Sequence, residues 1–151
     1  MGLVREFHEA FDLPILSYPT IPAIQRVELR RRLIQEEYRE VDVEFERIVQ
    51  RLASGVHNPG GYSRAIQVYE DIARLAKELS DVRYVVEGAE LEFGIPGEAV
   101  YAEVHASNMS KLGPDGRPVR RHDGKVLKGP NYRHADVLST IGIIEGETFN
   151  D

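Results

Sequence analysis

Residues 35–46 read QEEYREVDVEFE, and residues 77–81 read KELSD. The first stretch crowds Glu36, Glu37, Glu40 and Glu44 into three helical turns with no lysine nearby; the second adds Glu78 and Asp81. Carboxylates in such numbers do one of three things. They face water, they share protons in general acid–base work, or they hold a hard cation through oxygen. Which one applies depends on where they point.

At about 100° per residue, with Val41 as the core direction, Glu37 lies about 40° off that line, Glu44 about 60°, Glu40 about 100° and Glu36 about 140°, all on one side. With Val82 as the core direction of the second helix, Glu78 lies about 40° off, Asp81 about 100° and Asp71 about 20°. The acids therefore run beside the apolar seams rather than opposite them. If the two helices pack as an antiparallel hairpin, Glu40 stands ~18 Å above the connection and Glu78 ~22 Å. Glu37 and Glu40 then oppose Glu78 and Asp81. Four carboxylates meeting at a helix interface stay ionised only with compensation, and a divalent cation supplies it. All-oxygen ligation suits Mg2+ or Mn2+.

Two long helices must hold these groups. Ile34, Tyr38, Val41, Phe45, Ile48 and Leu52 recur at 3/4 spacing and predict a helix from about Pro22 to Ala53. Ala65, Ile66, Tyr69, Ile72, Leu75, Leu79, Val82, Val86, Ala89 and Phe93 predict a second from about Ser63 to Phe93. SGVHNPGGYS, with Gly55, Pro59, Gly60 and Gly61, breaks the pattern between them. A short helix over residues 2–12 and a Pro-rich connector over 13–22 precede them. A third core helix, with Val100, Tyr101, Val104 and Met109 facing in, spans Gly97 to Lys111. Beyond it, Asp123-Gly124 signals a small hairpin, and VLSTIGII (137–144) reads as a short strand or a last helical turn. The expected architecture is an all-α antiparallel helical bundle in one domain, residues 1–151. Its helical core covers about 22–112, and an irregular basic C-terminal arm with a small hairpin covers about 113–151.

Bulk properties narrow the class. The 151 residues carry a net charge of −6, which disfavours a general nucleic-acid binder. No apolar run approaches a membrane span, and the N-terminal MGLVREFHEAF does not read as a secretion signal. The absence of cysteine removes thiolate metal sites and fits a cytoplasmic protein. From Lys111 to His134 the chain holds seven basic residues and two acids, a net of +5, which leaves −11 for the rest. An acidic body with a basic tail segment is a clue to function.

E-E-x-x-E at 36–40 followed by E-x-x-D at 78–81 resembles the signature of the all-α nucleoside triphosphate pyrophosphohydrolases, the MazG-like superfamily of dimeric dUTPases, dCTP pyrophosphatases and phosphoribosyl-ATP pyrophosphohydrolases. REFHEAFDLP (5–14), HASNMSKLG (105–113) and GKVLKGPNYRHAD (124–136) extend the likeness along most of the chain. The 37-residue gap between Glu40 and Glu78 is longer than in many members. The resemblance implies Glu37, Glu40, Glu78 and Asp81 as metal ligands and Glu36 as the group that orients or deprotonates water. It implies His8 as a base contact, with Asn108 and Lys111 as substrate contacts. Lys125, Lys128, Tyr132 and Arg133 are further candidates for the substrate. The implied reaction converts a nucleoside triphosphate, dUTP first among them, to the monophosphate and pyrophosphate.

Two other classes are weaker. A ferritin-type redox bundle uses Glu-x-x-His pairs, and none of the five histidines has a glutamate three residues earlier. A non-catalytic nucleotide-binding helical module would carry the same acids but no turnover. Val43, Tyr84 and Val85 lie off the main seams and suit a second helical partner, so a homodimer is expected.

Overall fold

The computed structural model describes residues 2–54 and 62–142. It is all-α, with α1 (Leu3–Ala10), α2 (Ile24–Ala53), α3 (Tyr62–Phe93), α4 (Gly97–Met109) and a single turn, α5 (Val137–Thr140). The expected break between the long helices lies outside the described residues. No helix among those described is long and apolar enough to cross a membrane. The chain divides into two compact units, Met1–Gly94 and Ile95–Asp151.

The first unit is built on the α2–α3 hairpin. Side-chain partners diverge steadily in sequence: Arg51 with Gln67, Glu44 with Arg74, Glu40 with Lys77, and Arg30 with Glu92. Only an antiparallel pair gives that order. What lies between the helices differs from the expected apolar seam. Val41 is buried, but so are Arg30, Glu44, Asp71 and Glu92. Tyr38 is 67% exposed, and Phe45 and Leu52 are also exposed. On α3, Ile72, Leu79 and Val86 are likewise exposed. These two exposed rows repeat every seven residues, which keeps each on one face of its helix. The 3/4 pattern identified the helices correctly, yet half of each stripe faces away from the hairpin partner.

Charge pairing holds the open end of the hairpin. Glu92 is fully buried and accepts hydrogen bonds from Arg26 Nε (3.0 Å) and Arg30 Nη2 (2.6 Å). Burial pushes its carboxyl up, but the two guanidinium groups more than offset this and hold it below the usual carboxylate range. Arg30 Nη2 also lies 2.9 Å from His8 Nε2, and His8 Nδ1 lies 2.9 Å from the Pro14 carbonyl. One neutral tautomer satisfies both contacts: Nδ1–H donates to Pro14 while Nε2 accepts from Arg30. Gly88 makes room for this cluster, since a Cβ there would come within 2.7 Å of Arg30 Nη1 and 3.1 Å of His8 Nε2. The connector after α1 runs along the end of α3, where Leu16 N–H donates to Leu91 O (2.8 Å) and Thr20 N–H to Phe93 O (3.0 Å). Those carbonyls have no partner within the helix. Gly94, at φ +64°, closes α3, and any Cβ there would strike the Tyr18 carbonyl.

In the second unit, α4 is polar where it meets the arm. Tyr101 and Met109 are exposed, contrary to the inward placement expected of them, and Ser107 is buried instead. Ser107 Oγ donates to Arg133 O (2.9 Å), Ser110 Oγ accepts from Arg133 N–H (2.9 Å), and Glu103 accepts from the Arg133 guanidinium and from Asp136 N–H (2.9 Å). Residues 119–127 fold back through Leu127 N–H to Val119 O (2.7 Å) and Arg121 N–H to Lys125 O (2.8 Å), with Gly124 at φ +86° in the turn. Residues 137–140 form the helical turn α5, capped by Asp136, whose carboxylate accepts from Ser139 N–H (3.1 Å). Ile143 and Ile144 lie outside the described residues.

Replacing Glu92 by alanine leaves two guanidinium groups beside a carboxylate-free interior. Glu92→Ala should therefore lower unfolding free energy by about 3–5 kcal/mol in denaturant titration. A loss below about 1 kcal/mol would show that the cluster does not hold the hairpin.

Candidate metal centre

Midway along the hairpin, one turn of α2 faces one turn of α3. Glu37, Glu78 and Asp81 each present a carboxylate oxygen, and these oxygens all lie within 4.8 Å of one another. All three side chains are half-buried. Oxygens bound to one octahedral Mg2+ sit at most about 4.2 Å apart, so small rotations of these side chains close the group on a cation. Glu40, expected as a fourth member, stands outside this group on the exposed rim of the cage. Glu36 is exposed on the same turn and raises the proton affinity of Glu37.

The electrostatics show what the group lacks. Burial pushes the Glu37 carboxyl up, and the nearby charges of Glu40 and Asp81 push it further, with Lys77 opposing them. Lys77 is the basic residue that the sequence reading overlooked. Its ammonium donates to Asp81 Oδ2 (2.9 Å) and Glu78 Oε2 (3.0 Å) and lies 3.8 Å from Glu40 Oε2. A cation already sits on these oxygens, supplied by the chain itself. That stand-in shows that the acid group suits positive charge. Glu37, Glu78 and Asp81 would hold a divalent ion, with Glu40 next in reach.

Glu44 and Asp71, two acids near the core line, belong to a different cluster. Glu44 accepts from Arg47 Nη1 (2.6 Å) and lies 3.4 Å from Arg74 Nε, while Asp71 pairs with Arg51 and Arg74. These carboxylates are neutralised by arginine and leave no charge for a metal. A cleft of about 220 Å3 beside the cage is lined by Arg39, Glu40, Val43, Glu44 and Glu78. Arg39, one residue before Glu40, is a second basic group that the reading of the acids passed over.

The remaining candidates fall into three groups. His8 is 1% exposed with both ring nitrogens engaged, so it has none free for a base; its place is structural. Asn108 and Lys111 meet one turn apart, Lys111 Nζ donating to Asn108 Oδ1. Arg133 is committed to Glu103, which anchors the arm, and Lys128 Nζ stands 4.2 Å over the Tyr132 ring. The Lys125 side chain is exposed in the turn.

The all-α hairpin and the three acids that converge across its middle fit the resemblance to the all-α nucleoside triphosphate pyrophosphohydrolases. The chain belongs to the phosphoribosyl-ATP pyrophosphohydrolase family, whose family model matches residues 4–108, and it is a hydrolase of that pyrophosphohydrolase type. The matched span contains the whole cage and ends at Asn108, before Lys111 and the basic arm. A solved structure from Exiguobacterium sp. 255-15, named as a candidate NTP pyrophosphohydrolase, is 20% identical, covers 91% of this chain and 90% of its own, and superposes with a TM-score of 0.46. No curated protein matches.

The anchor of the arm is pH-sensitive. The Arg133 guanidinium and the Asp136 N–H hold Glu103 down to about 2. A depressed carboxyl stabilises the fold fully above its unfolded value and loses that contribution as pH falls through its folded value. Glu103→Gln should therefore speed proteolysis of the arm at neutral pH, and its difference from wild type should shrink as pH drops from about 4.5 towards 2. A difference that grows on acidification would contradict this anchor.

Proposed function

We propose that this protein hydrolyses a nucleoside triphosphate to the monophosphate and pyrophosphate at the Glu37–Glu78–Asp81 cage, with Mg2+ or Mn2+ bound there and Glu40 as a fourth ligand. The observation that carries the reading is the convergence of three half-buried carboxylates from two helices on one point, within a chain of pyrophosphohydrolase family. A bound divalent ion would neutralise charge developing on the phosphate oxygens and lower the pKa of the attacking water. Glu36 stands on the rim of the cage and takes the water proton as the new P–O bond forms and the phosphoanhydride P–O bond breaks. On the motif resemblance, Asn108 is the candidate to contact the base or sugar through its amide, and Lys111, Lys125 and Lys128 are the candidates for the phosphates. Tyr132 and Arg133 reach substrate only if they leave Lys128 and Glu103.

dUTP is the first substrate to test, on the strength of the motif resemblance. Phosphoribosyl-ATP is the second reading, favoured by the family whose model matches. Pyrophosphate release should be measured with Mg2+ across dUTP, dCTP, other triphosphates and phosphoribosyl-ATP. Release from at least one of them, cut at least about 100-fold by Glu78→Gln with helicity unchanged, is expected. Absence of pyrophosphate from the whole panel would overturn the reading and favour a non-catalytic module.

We further propose a homodimer. The seven-residue rows Tyr38, Phe45, Leu52 and Ile72, Leu79, Val86 stay exposed on the hairpin, and rows of that kind are buried by another helical layer. Sedimentation should give a species of twice the 17.1 kDa chain mass, and Phe45→Glu should split it. A wild-type chain that sediments only as a monomer would remove this proposal.

A further inference from the structure

We propose that Lys77 is a built-in counter-ion that holds the acid cage in its metal-free form and swings out when a divalent ion binds, so that it sets the cage's metal affinity. This rests on the reading of the cage as a cation site. Among the described residues, Lys77 is the one basic side chain within 4.0 Å of Glu78 or Asp81. It touches two of the three carboxylates that converge there. An ammonium and a divalent ion repel each other and compete for those carboxylates.

The i,i+4 spacing brings the ammonium to Asp81, and it also meets Glu78 and, across the hairpin, Glu40. Neighbours at i,i+1 do not face each other on a helix, yet Lys77 reaches Glu78 at 3.0 Å. A basic residue placed before its acid at i,i+4, as Lys77 is to Asp81, has the weaker of the two orientations. The ammonium therefore sits among acids of both helices rather than on one i,i+4 partner. It also leaves easily. Lys77 is 63% exposed on a flexible four-carbon stem, so release needs only rotation into solvent.

The consequence is a competition. The apparent metal affinity is reduced by the ratio of cage-bound to released Lys77. Two direct contacts, each of the modest strength of exposed ion pairs, put that ratio at about ten. Lys77→Met should therefore bind Mn2+ about tenfold more tightly by calorimetry. Arg83→Met removes the same charge from the next turns of α3 without touching the cage, and should tighten binding less than about twofold. Without metal, Lys77→Met should melt about 2–4 °C below wild type, since the acids then lack their counter-ion, and saturating Mn2+ should erase that difference. If Lys77→Met binds Mn2+ no more tightly than Arg83→Met, the counter-ion role is wrong while the cage stands. If wild type and Lys77→Met both show no Mn2+ binding, the cage reading and this inference fall together.

Discussion

Carboxylates are buried beside Val41 where α2 and α3 face each other, and the hairpin must supply cations to them along its length. At the open end Glu92 is buried with Arg26 and Arg30. Towards the connection Glu44 and Asp71 are matched by Arg47, Arg51 and Arg74. Both clusters use arginine, whose fork fills the lone pairs of a buried carboxylate and whose charge persists at any relevant pH. Between them the supply runs short. Among the described residues, Glu78 and Asp81, with Glu40 at the rim, pair with one exposed ammonium, that of Lys77. Burial first, and then the charges of Glu40 and Asp81, raise the proton affinity of Glu37 on this middle turn. The clusters on either side fix the register of the two helices, and so hold the cage acids opposite one another.

The same charge pattern governs what the hairpin shows outside. With ion pairs taking part of the contact face, half of the apolar residues that make α2 and α3 amphipathic stay exposed. Only Val4 and Val41 are buried hydrophobic residues among those described. A hairpin so lightly filled gains little from apolar burial, which is the dominant favourable contribution to folding. A second layer of helices against the exposed rows would provide it. In the second unit the economy is similar: α4 holds the arm by Ser107, Ser110 and Glu103 rather than by packing.

Much of this was legible in the sequence, for identifiable reasons. Helix positions follow from 3/4 periodicity, which local chemistry imposes whatever the partner, so α2 and α3 end where Ala53 and Phe93 suggested. The opposition of Glu37 to Glu78 and Asp81 follows from helical rise and angle alone. What periodicity cannot assign is which apolar row meets which partner; Tyr38 and Phe45 were read as facing the hairpin and face outwards. The resemblance implies His8 as a base contact, and nothing local announces that Arg30, 22 residues away and itself paired with Glu92, engages its ring instead. Lys77 was visible in KELSD, one residue before Glu78 and four before Asp81. It neutralises acids across the hairpin, which the charge pattern of α2 by itself does not show.

Anomalous scattering from crystals soaked in Mn2+ tests the central claim directly, since it locates the ion without reference to turnover. A peak about 2.2 Å from oxygens of Glu37, Glu78 and Asp81, with Lys77 turned into solvent, is the predicted result. A cage that still holds Lys77 on Asp81 and Glu78 at saturating Mn2+, or a peak elsewhere in the molecule, would contradict it.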